Sequence, residues 1–192
     1  MRLTVLCLLA SALLTSVSGE QAPVFEITPV GSSIQFGVEA SVAIKGAFDK
    51  WDATLTFTSP EVSTGVLDIT IQAASVDTGS GMKNGKLKGK DFFDVKQNPL
   101  ITFKSTKIVQ RGPDAFEVDG NFTIRGVSKP EKLALTISGR GTGSGTIKGT
   151  MAFDRKDYGM NKGIPFIKIA NRVEVTVDLK AERVSGPPVD LK

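Results

Sequence analysis

Apolar and polar residues alternate with a period of two through most of this chain. In one such segment, Ile34, Phe36 and Val38 are separated from one another by a single glutamine or glycine. Period-two alternation gives a strand one apolar and one polar face, which is typical of antiparallel sheets. The pattern therefore predicts an all-β protein. The same alternation recurs in four further segments, at residues 53–57, 67–71, 133–137 and 173–179.

Turn-forming residues separate these segments, and one stretch departs from the strand pattern. Residues 82–94 suggest a short helix around Leu87, although Gly85 and Gly89 weaken it. Many antiparallel strands with one apolar face form either a sandwich or a closed barrel, and spacing alone does not choose between them. A barrel of about eight strands is just wide enough to hold a single ligand. The turn signals are Pro60 and residues 79–81, 112–114 and 139–145.

The first residues predict the compartment. Arg2 precedes a mostly apolar run at residues 3–14, which is too short to span a membrane, and small residues follow it. This order is typical of a secretory signal peptide, which we place at residues 1–19, and it predicts a periplasmic or secreted protein. An uncleaved anchor is the alternative. One domain is expected at residues 20–184, followed by a loose tail at 185–192.

Several common catalytic and metal-binding groups are missing from the sequence. The chain has no histidine, and its single cysteine, Cys7, lies within the predicted signal peptide. The commonest general base, the commonest zinc ligand and a thiol nucleophile are therefore unavailable to the mature protein. We predict no catalysis, no metal site and no cofactor. Proton chemistry by carboxylates, lysines or Tyr158 is the weaker alternative.

The charge of the chain limits its partners. The 192 residues carry a formal net charge of +4, and most of the lysines are interspersed with acids. A mild excess of this kind does not require a nucleic-acid partner, and aromatic residues for base stacking are few. One basic segment stands out just before the pair Phe92 and Phe93. It contains Lys83, Lys86, Lys88 and Lys90.

Seven sequence blocks occur in an order that is specific to one protein family. The most specific are Asp91-Phe92-Phe93-Asp94, which is followed by Pro99, and the segment TIRGVSKP at residues 123–130. Together these blocks resemble the YceI family of periplasmic lipid-binding proteins over about residues 24–182. The family usually has a histidine before the leucine matched by Leu87, and this chain has Lys86 there. The blocks are residues 25–36, 45–48, 75–79, 86–94, 98–106, 120–130 and 154–159.

The resemblance implies a lipocalin-like antiparallel β-barrel of about eight strands with a short helix. It also implies a long apolar cavity that holds a polyisoprenoid or similar lipid, such as an isoprenoid quinone or a prenyl phosphate. Candidate cavity residues come from the apolar strand faces, and an ordinary packed core is the alternative for each of them. These candidates are Phe36, Val38, Ile44, Leu55, Phe57, Ile69, Ile71, Phe103, Phe122 and Phe153.

A second set of candidates belongs to the mouth or lid of the cavity. We expect the paired phenylalanines to seal one end of the barrel. The neighbouring lysines would face solvent, an anionic head group or an anionic membrane surface. The two arginines, together with Lys129, could pair with a phosphate or could brace loops through Asp119, Asp154 or Asp157. This set is Lys86, Leu87, Phe92, Phe93, Arg125 and Arg155.

The sequence thus predicts a non-catalytic carrier of an isoprenoid lipid in the periplasm. A lipid-modifying enzyme that uses the same cavity is one alternative, and it would need a buried acid or lysine with a strongly shifted pKa in the lumen. A structural module with a solid core is the other. The oligomeric state is left open and includes a homodimer.

Overall fold

The computed structural model describes residues 21–41, 43–163 and 168–192. The predicted signal peptide lies outside these residues. No helix within them is long and apolar enough to cross a membrane. The elements are β1 (Val24–Ala40), β2 (Ile44–Phe48), β3 (Trp51–Thr56), β4 (Val66–Gln72), β5 (Val76–Asp77), α1 (Gly81–Lys88), β6 (Leu100–Gln110), β7 (Ala115–Ile124), β8 (Val127–Ser138), β9 (Ser144–Asp154) and β10 (Ile169–Ser185), with short 3-10 turns at Val62–Thr64, Ala73–Ser75 and Arg155–Tyr158.

The strands close into a barrel. Antiparallel neighbours follow the order β10-β9-β8-β7-β6-β4-β3-β1, and β1 also pairs with β10. Both β2 and β3 pair with β1, so they behave as two halves of one bent strand. In the same way β5 continues β4 by pairing with β2. The predicted antiparallel barrel of about eight strands is confirmed.

Period-two alternation places the core inside the barrel, as β7 shows. Phe116, Val118 and Phe122 are buried, whereas the intervening Glu117 and Asn121 reach the surface. A closed barrel leaves no unpaired sheet edge, so each strand has only to supply one apolar face. The hairpin between β7 and β8 turns through Arg125 and Gly126, both with positive φ, as a two-residue hairpin turn requires.

The predicted short helix is present and ends earlier than residue 94. Ser80 caps its first turn, and Gly89 leaves the helical conformation and ends it. The chain then forms turns, in which the Phe93 N–H donates to the Leu87 carbonyl at 2.9 Å. We call residues 81–98 the lid segment. Its buried side chains are Leu87, Phe92 and Phe93.

Beyond β10 the chain crosses the opposite end of the barrel, and we call residues 186–192 the strap. The Asp190 N–H donates to the Pro60 carbonyl at 2.8 Å. Gln110 exchanges two hydrogen bonds with the backbone of Lys192, at 2.7 and 2.9 Å. That residues 185–192 form a loose tail stays a prediction. Loosening of this tail would break the hydrogen bonds of Asp190 with Pro60 and of Lys192 with Gln110.

Candidate functional site

Within residues 21–41, 43–163 and 168–192, inward-facing side chains leave a cavity at each end of the barrel. The lid-end cavity lies beside α1 and has a volume of about 80 Å³. The strap-end cavity lies beneath the strap and the glycine-rich β8–β9 hairpin and offers about 430 Å³ by the same measure. The two cavities share no lining residue. The barrel therefore contains two compartments, where the resemblance implies one long cavity.

A packed waist separates the two compartments. On β4, Ile71 lines the lid-end cavity and Leu67 lines the strap-end cavity, whereas Ile69 between them lines neither. Phe103 extends across the waist from β6. Its ring fits there because residue 120 is a glycine, since a Cβ at that position would lie 2.5 Å from the ring. Close packing of this kind leaves no room for a chain to pass. The buried waist residues are Ile69, Phe103, Val118, Leu133, Met151, Val177 and Leu179.

The ten sequence-predicted cavity residues are divided among these three regions. Leu55 and Phe57 line the strap-end cavity. Ile69 and Phe103 belong to the waist, so for these two the packed-core alternative describes the structure. The remaining six line the lid-end cavity, and they are Phe36, Val38, Ile44, Ile71, Phe122 and Phe153.

Aromatic packing closes the lid-end cavity. The Phe93 ring lies 6.0 Å from that of Phe48 and 6.3 Å from that of Phe36, measured between centroids. Tilted and edge-to-face pairs at such distances stabilise beyond their buried area. On the opposite wall Phe122 and Phe153 pack at 5.0 Å. The expected seal by the lid phenylalanines thus corresponds to a defined cluster.

Cationic side chains lie along the edge of the lid-end cavity. Lys83 and Lys86 are among its lining residues, together with the mouth candidates Leu87, Phe92, Phe93 and Arg155. The Lys86 Nζ lies 2.8 Å from the Asp91 carboxylate. That hydrogen bond holds the pKa of Asp91 below its usual value. Lys88 and Lys90 lie outside the lining.

Arg155 is the buried cation of this end. It is 6% exposed and donates to the backbone carbonyls of Ala170 at 3.1 Å, Lys162 at 2.9 Å and Met160. Among the described residues no carboxylate lies within ion-pair distance of its guanidinium. A buried charge held only by carbonyl dipoles keeps its attraction for an anion. Arg155 therefore keeps a positive charge next to the lid-end cavity, behind walls that are almost wholly apolar.

Arg125 lies outside the lining of the lid-end cavity and links two loops. Its guanidinium donates to the Lys90 carbonyl at 2.8 Å and to the Gly159 carbonyl. It thus ties the lid segment to the turn after β9. Of the acids considered for loop bracing, Asp157 contacts Lys129 at 3.5 Å. Within the described residues, the two arginines brace loops by donating hydrogen bonds to backbone carbonyls.

Tyr158 is fully buried behind the aromatic wall of the lid-end cavity. Its hydroxyl donates to the Glu131 carboxylate at 2.8 Å. Burial, reinforced by that carboxylate, raises the pKa of Tyr158 and keeps the phenol protonated. Among the described residues, the five groups with shifted pKa values, Asp77, Asp91, Glu117, Lys132 and Tyr158, all lie outside the lining of both cavities. Tyr158 is thus a packing residue that cannot readily act as a base.

The sequence analysis did not identify the mouth of the strap-end cavity. Arg140, Arg183 and the strap residues Val189 and Leu191 line it. Arg183 continues the inward-facing period of β10, two residues beyond Ala181, and this spacing could have indicated its position. The contacts of the strap join residues far apart in sequence, which no local pattern reveals.

Comparison with known proteins relates this chain to one protein family. The model of the YceI-like domain matches residues 25–181. A UPF0312 protein of Pectobacterium atrosepticum is 30% identical over 142 residues, which is 72% of this chain and 73% of the relative.

Two solved structures share the fold. The crystal structure of Burkholderia cenocepacia BcnA matches with a TM-score of 0.73 at 27% identity, over 81% of this chain and 99% of that one. A polyisoprenoid-binding domain from Saccharophagus degradans matches with a TM-score of 0.67 over 84% of this chain and 99% of that one. At 16% identity the second likeness shows the fold alone.

Proposed function

The chain belongs to the YceI-like domain family, and on that premise we propose that it is a non-catalytic periplasmic carrier of a polyisoprenoid or similar long-chain lipid. The observation that carries the proposal is the lid-end cavity. Its walls are aliphatic and aromatic, and cationic groups lie at its edge. A site with apolar walls and a few charged groups suits a lipid chain with a polar head. The Saccharophagus degradans domain of the same fold is a polyisoprenoid-binding domain, which supports the proposal.

Binding of a long chain requires the lid segment to move. The lid-end cavity offers about 80 Å³, whereas ligand pockets usually offer roughly 300–1,000 Å³. Leu87, Phe92 and Phe93 supply the lid side of its wall, and α1 buries a single side chain, Leu87. Outward movement of this segment would extend the cavity between β1 and β6.

The charges at the lid end favour an anionic head. Lys83, Lys86 and Arg155 together place positive charge beside the cavity, and a guanidinium suits phosphate oxygens. A prenyl phosphate is therefore our first ligand, and an isoprenoid quinone is the second. The same lysines would attract the protein transiently to an anionic membrane surface, from which lipid could be taken. A homodimer stays a prediction.

Native mass spectrometry of the mature protein, followed by solvent extraction, tests the carrier proposal. We expect one geranylgeranyl phosphate per chain after incubation, and we expect it to be recovered chemically unchanged. Failure to bind either this lipid or a short-chain ubiquinone would contradict the proposal. Recovery of a modified lipid would instead support the enzymatic alternative.

Charge-neutralising variants test the role of the lysines. Lys83→Gln with Lys86→Gln should slow the uptake of geranylgeranyl phosphate from anionic vesicles about tenfold, since opposite charge steers association. The matched control is Lys104→Gln with Lys148→Gln, two exposed strand lysines outside both cavities. Equal uptake rates for both pairs would remove the head-group assignment and leave the carrier proposal standing.

A further inference from the structure

The strap-end cavity is large enough to bind a ligand of its own. Its volume of about 430 Å³ falls within the usual range for ligand pockets, about 300–1,000 Å³. The packed waist isolates it from the lid-end cavity, since the two share no lining residue. We propose that the strap-end cavity is a second binding site, for a single-chain amphiphile with an anionic head, of the class of long-chain fatty acids.

The walls of this cavity suit an alkyl chain. Phe25 and Phe57 face each other with ring centroids 5.8 Å apart on one side. Phe116 and Leu135 supply apolar surface from β7 and β8, and Leu67 lies next to the waist. A chain inserted methyl end first would meet hydrocarbon along its length, and each buried CH₂ stabilises the complex by about 0.8 kcal/mol.

Two guanidinium groups lie at the mouth, and within the described residues neither forms an ion pair with an aspartate or a glutamate. Arg140 donates to the main-chain oxygens of Leu191 at 2.7 Å, Pro113 at 3.4 Å and Lys192 at 3.4 Å, so two of its three contacts belong to the strap. Arg183 donates to the Gly186 carbonyl. Two other surface arginines do form ion pairs, Arg111 with Glu117 at 2.9 Å and Arg172 with Glu174 at 3.3 Å. Positive charge held only by carbonyls is free to be compensated by a ligand carboxylate, which the guanidinium fork binds in two places.

The strap occupies the path by which an amphiphile would enter. Val189 and Leu191 turn towards the cavity, and the Leu191 carbonyl holds Arg140 where a ligand carboxylate would bind it. Asp190 is the acid among the described lining residues; it lies on the strap and would leave with it. Displacement of the strap thus removes a negative charge and releases Arg140 in the same movement. The strap is a built-in competitor of the ligand.

The probe for this site is the fluorescent fatty acid 11-(dansylamino)undecanoic acid, titrated into the full protein. Arg140→Gln with Arg183→Gln should weaken binding about tenfold, because two charge-assisted contacts are lost. The control is Arg172→Gln, which removes an exposed β10 arginine paired with Glu174 outside the cavity and should leave binding unchanged. No binding by the wild type, or equal losses in both variants, would overturn the proposal.

Two further variants locate the bound probe and test the strap. Leu135→Trp fills the strap-end cavity and should abolish probe binding, whereas Ile71→Trp fills the lid-end cavity and should leave it unchanged. The reverse pattern would place the probe at the lid end and overturn the second site. Deletion of residues 187–192 removes the strap side of the strap-end cavity, leaves its barrel walls in place, and should tighten binding severalfold. Equal or weaker binding after deletion would overturn the competitor role. Circular dichroism checks the fold of each variant.

Discussion

The two ends of this barrel are closed in different ways. The lid end is sealed by side chains, because Phe92 and Phe93 are buried in an aromatic cluster. The strap end is closed mainly by backbone hydrogen bonds, such as those of Asp190 and Lys192. Replacing a protein hydrogen bond by one to water costs a net free energy of about 0.5–1.5 kcal/mol. Exposing a buried phenylalanine side chain to water costs more. The strap end should therefore open more often than the lid end.

This difference suggests different ligand kinetics at the two ends. A lipid sealed behind the lid would be retained, as a carrier or store requires. An amphiphile beneath the strap would exchange faster, because only a few exposed hydrogen bonds must break. One barrel can combine both behaviours because the waist around Phe103 keeps the compartments apart.

Truncation of the waist should produce the largest loss in the free energy of unfolding. Phe103→Ala deletes a buried ring that packs onto Gly120, and we expect unfolding to become easier by about 3–5 kcal/mol. Chemical denaturation followed by fluorescence measures this. The control is Phe57→Ala, a half-buried ring on the strap-end wall, which should cost less. A loss below about 1 kcal/mol for Phe103→Ala would show that the waist is not tightly packed.

A matched pair of truncations should separate the two closures. Phe93→Ala removes a buried ring of the lid segment and should cost about 3 kcal/mol. Leu191→Ala shortens a half-buried strap side chain and should cost about 1 kcal/mol. Native-state hydrogen exchange adds a local readout, in which the amide of Lys192 should exchange much faster than that of Phe93. Equal costs and equal exchange rates would remove the distinction between the ends.

The smallest effect is expected at a surface charge cluster on β7 and β8. Hydrogen bonds from Arg111 and Lys132, each at 2.9 Å, lower the pKa of Glu117 to about 2. Because the folded pKa is depressed, this contribution is present above about pH 4.5, the usual value for a glutamate, and is lost as the pH falls towards 2. The group is solvent-accessible, so screening keeps the contribution small.

Glu117→Gln tests this dependence. The variant should be slightly less stable than the wild type at pH 7, and the difference should shrink as the pH falls from about 4.5 and vanish below about pH 2. Thermal melts across that range measure it, and raised salt should reduce the difference at pH 7. A difference that stays constant down to pH 2 would contradict the ionic origin.

Local pattern predicted the antiparallel strands well, because period two is a property of each strand alone, whereas the choice of a barrel over a sandwich came from the family resemblance. Ile34 and Phe36 reveal the inward face of β1 without knowledge of any neighbour. The position of α1 was also readable, and its early end follows from Gly89. The pattern could not predict the register between neighbouring strands. Phe103 is a waist residue because the pairing of β6 with β7 brings Gly120 beneath its ring. A bulge near Ser105 adds to this, and the Leu67 N–H donates to its hydroxyl at 2.9 Å.

The candidate site was predicted in part for the same reason. Six cavity candidates line the lid-end cavity, because the period-two alternation of each strand already places them on its inward face. Burial of Arg155 depends on carbonyls at Met160 and Ala170, which the fold of the following loop brings around it. The strap-end mouth depends on contacts such as Gln110 with Lys192, 82 residues apart. Such distant contacts leave no periodic trace in a single sequence.

The most direct test of two separate compartments is native mass spectrometry with both ligands present. The protein would be incubated with geranylgeranyl phosphate and 11-(dansylamino)undecanoic acid, alone and together. Two independent cavities predict a ternary complex that carries one molecule of each, with neither ligand reducing the occupancy of the other. Mutual displacement, with one ligand per chain under every condition, would contradict the account and show a single shared interior.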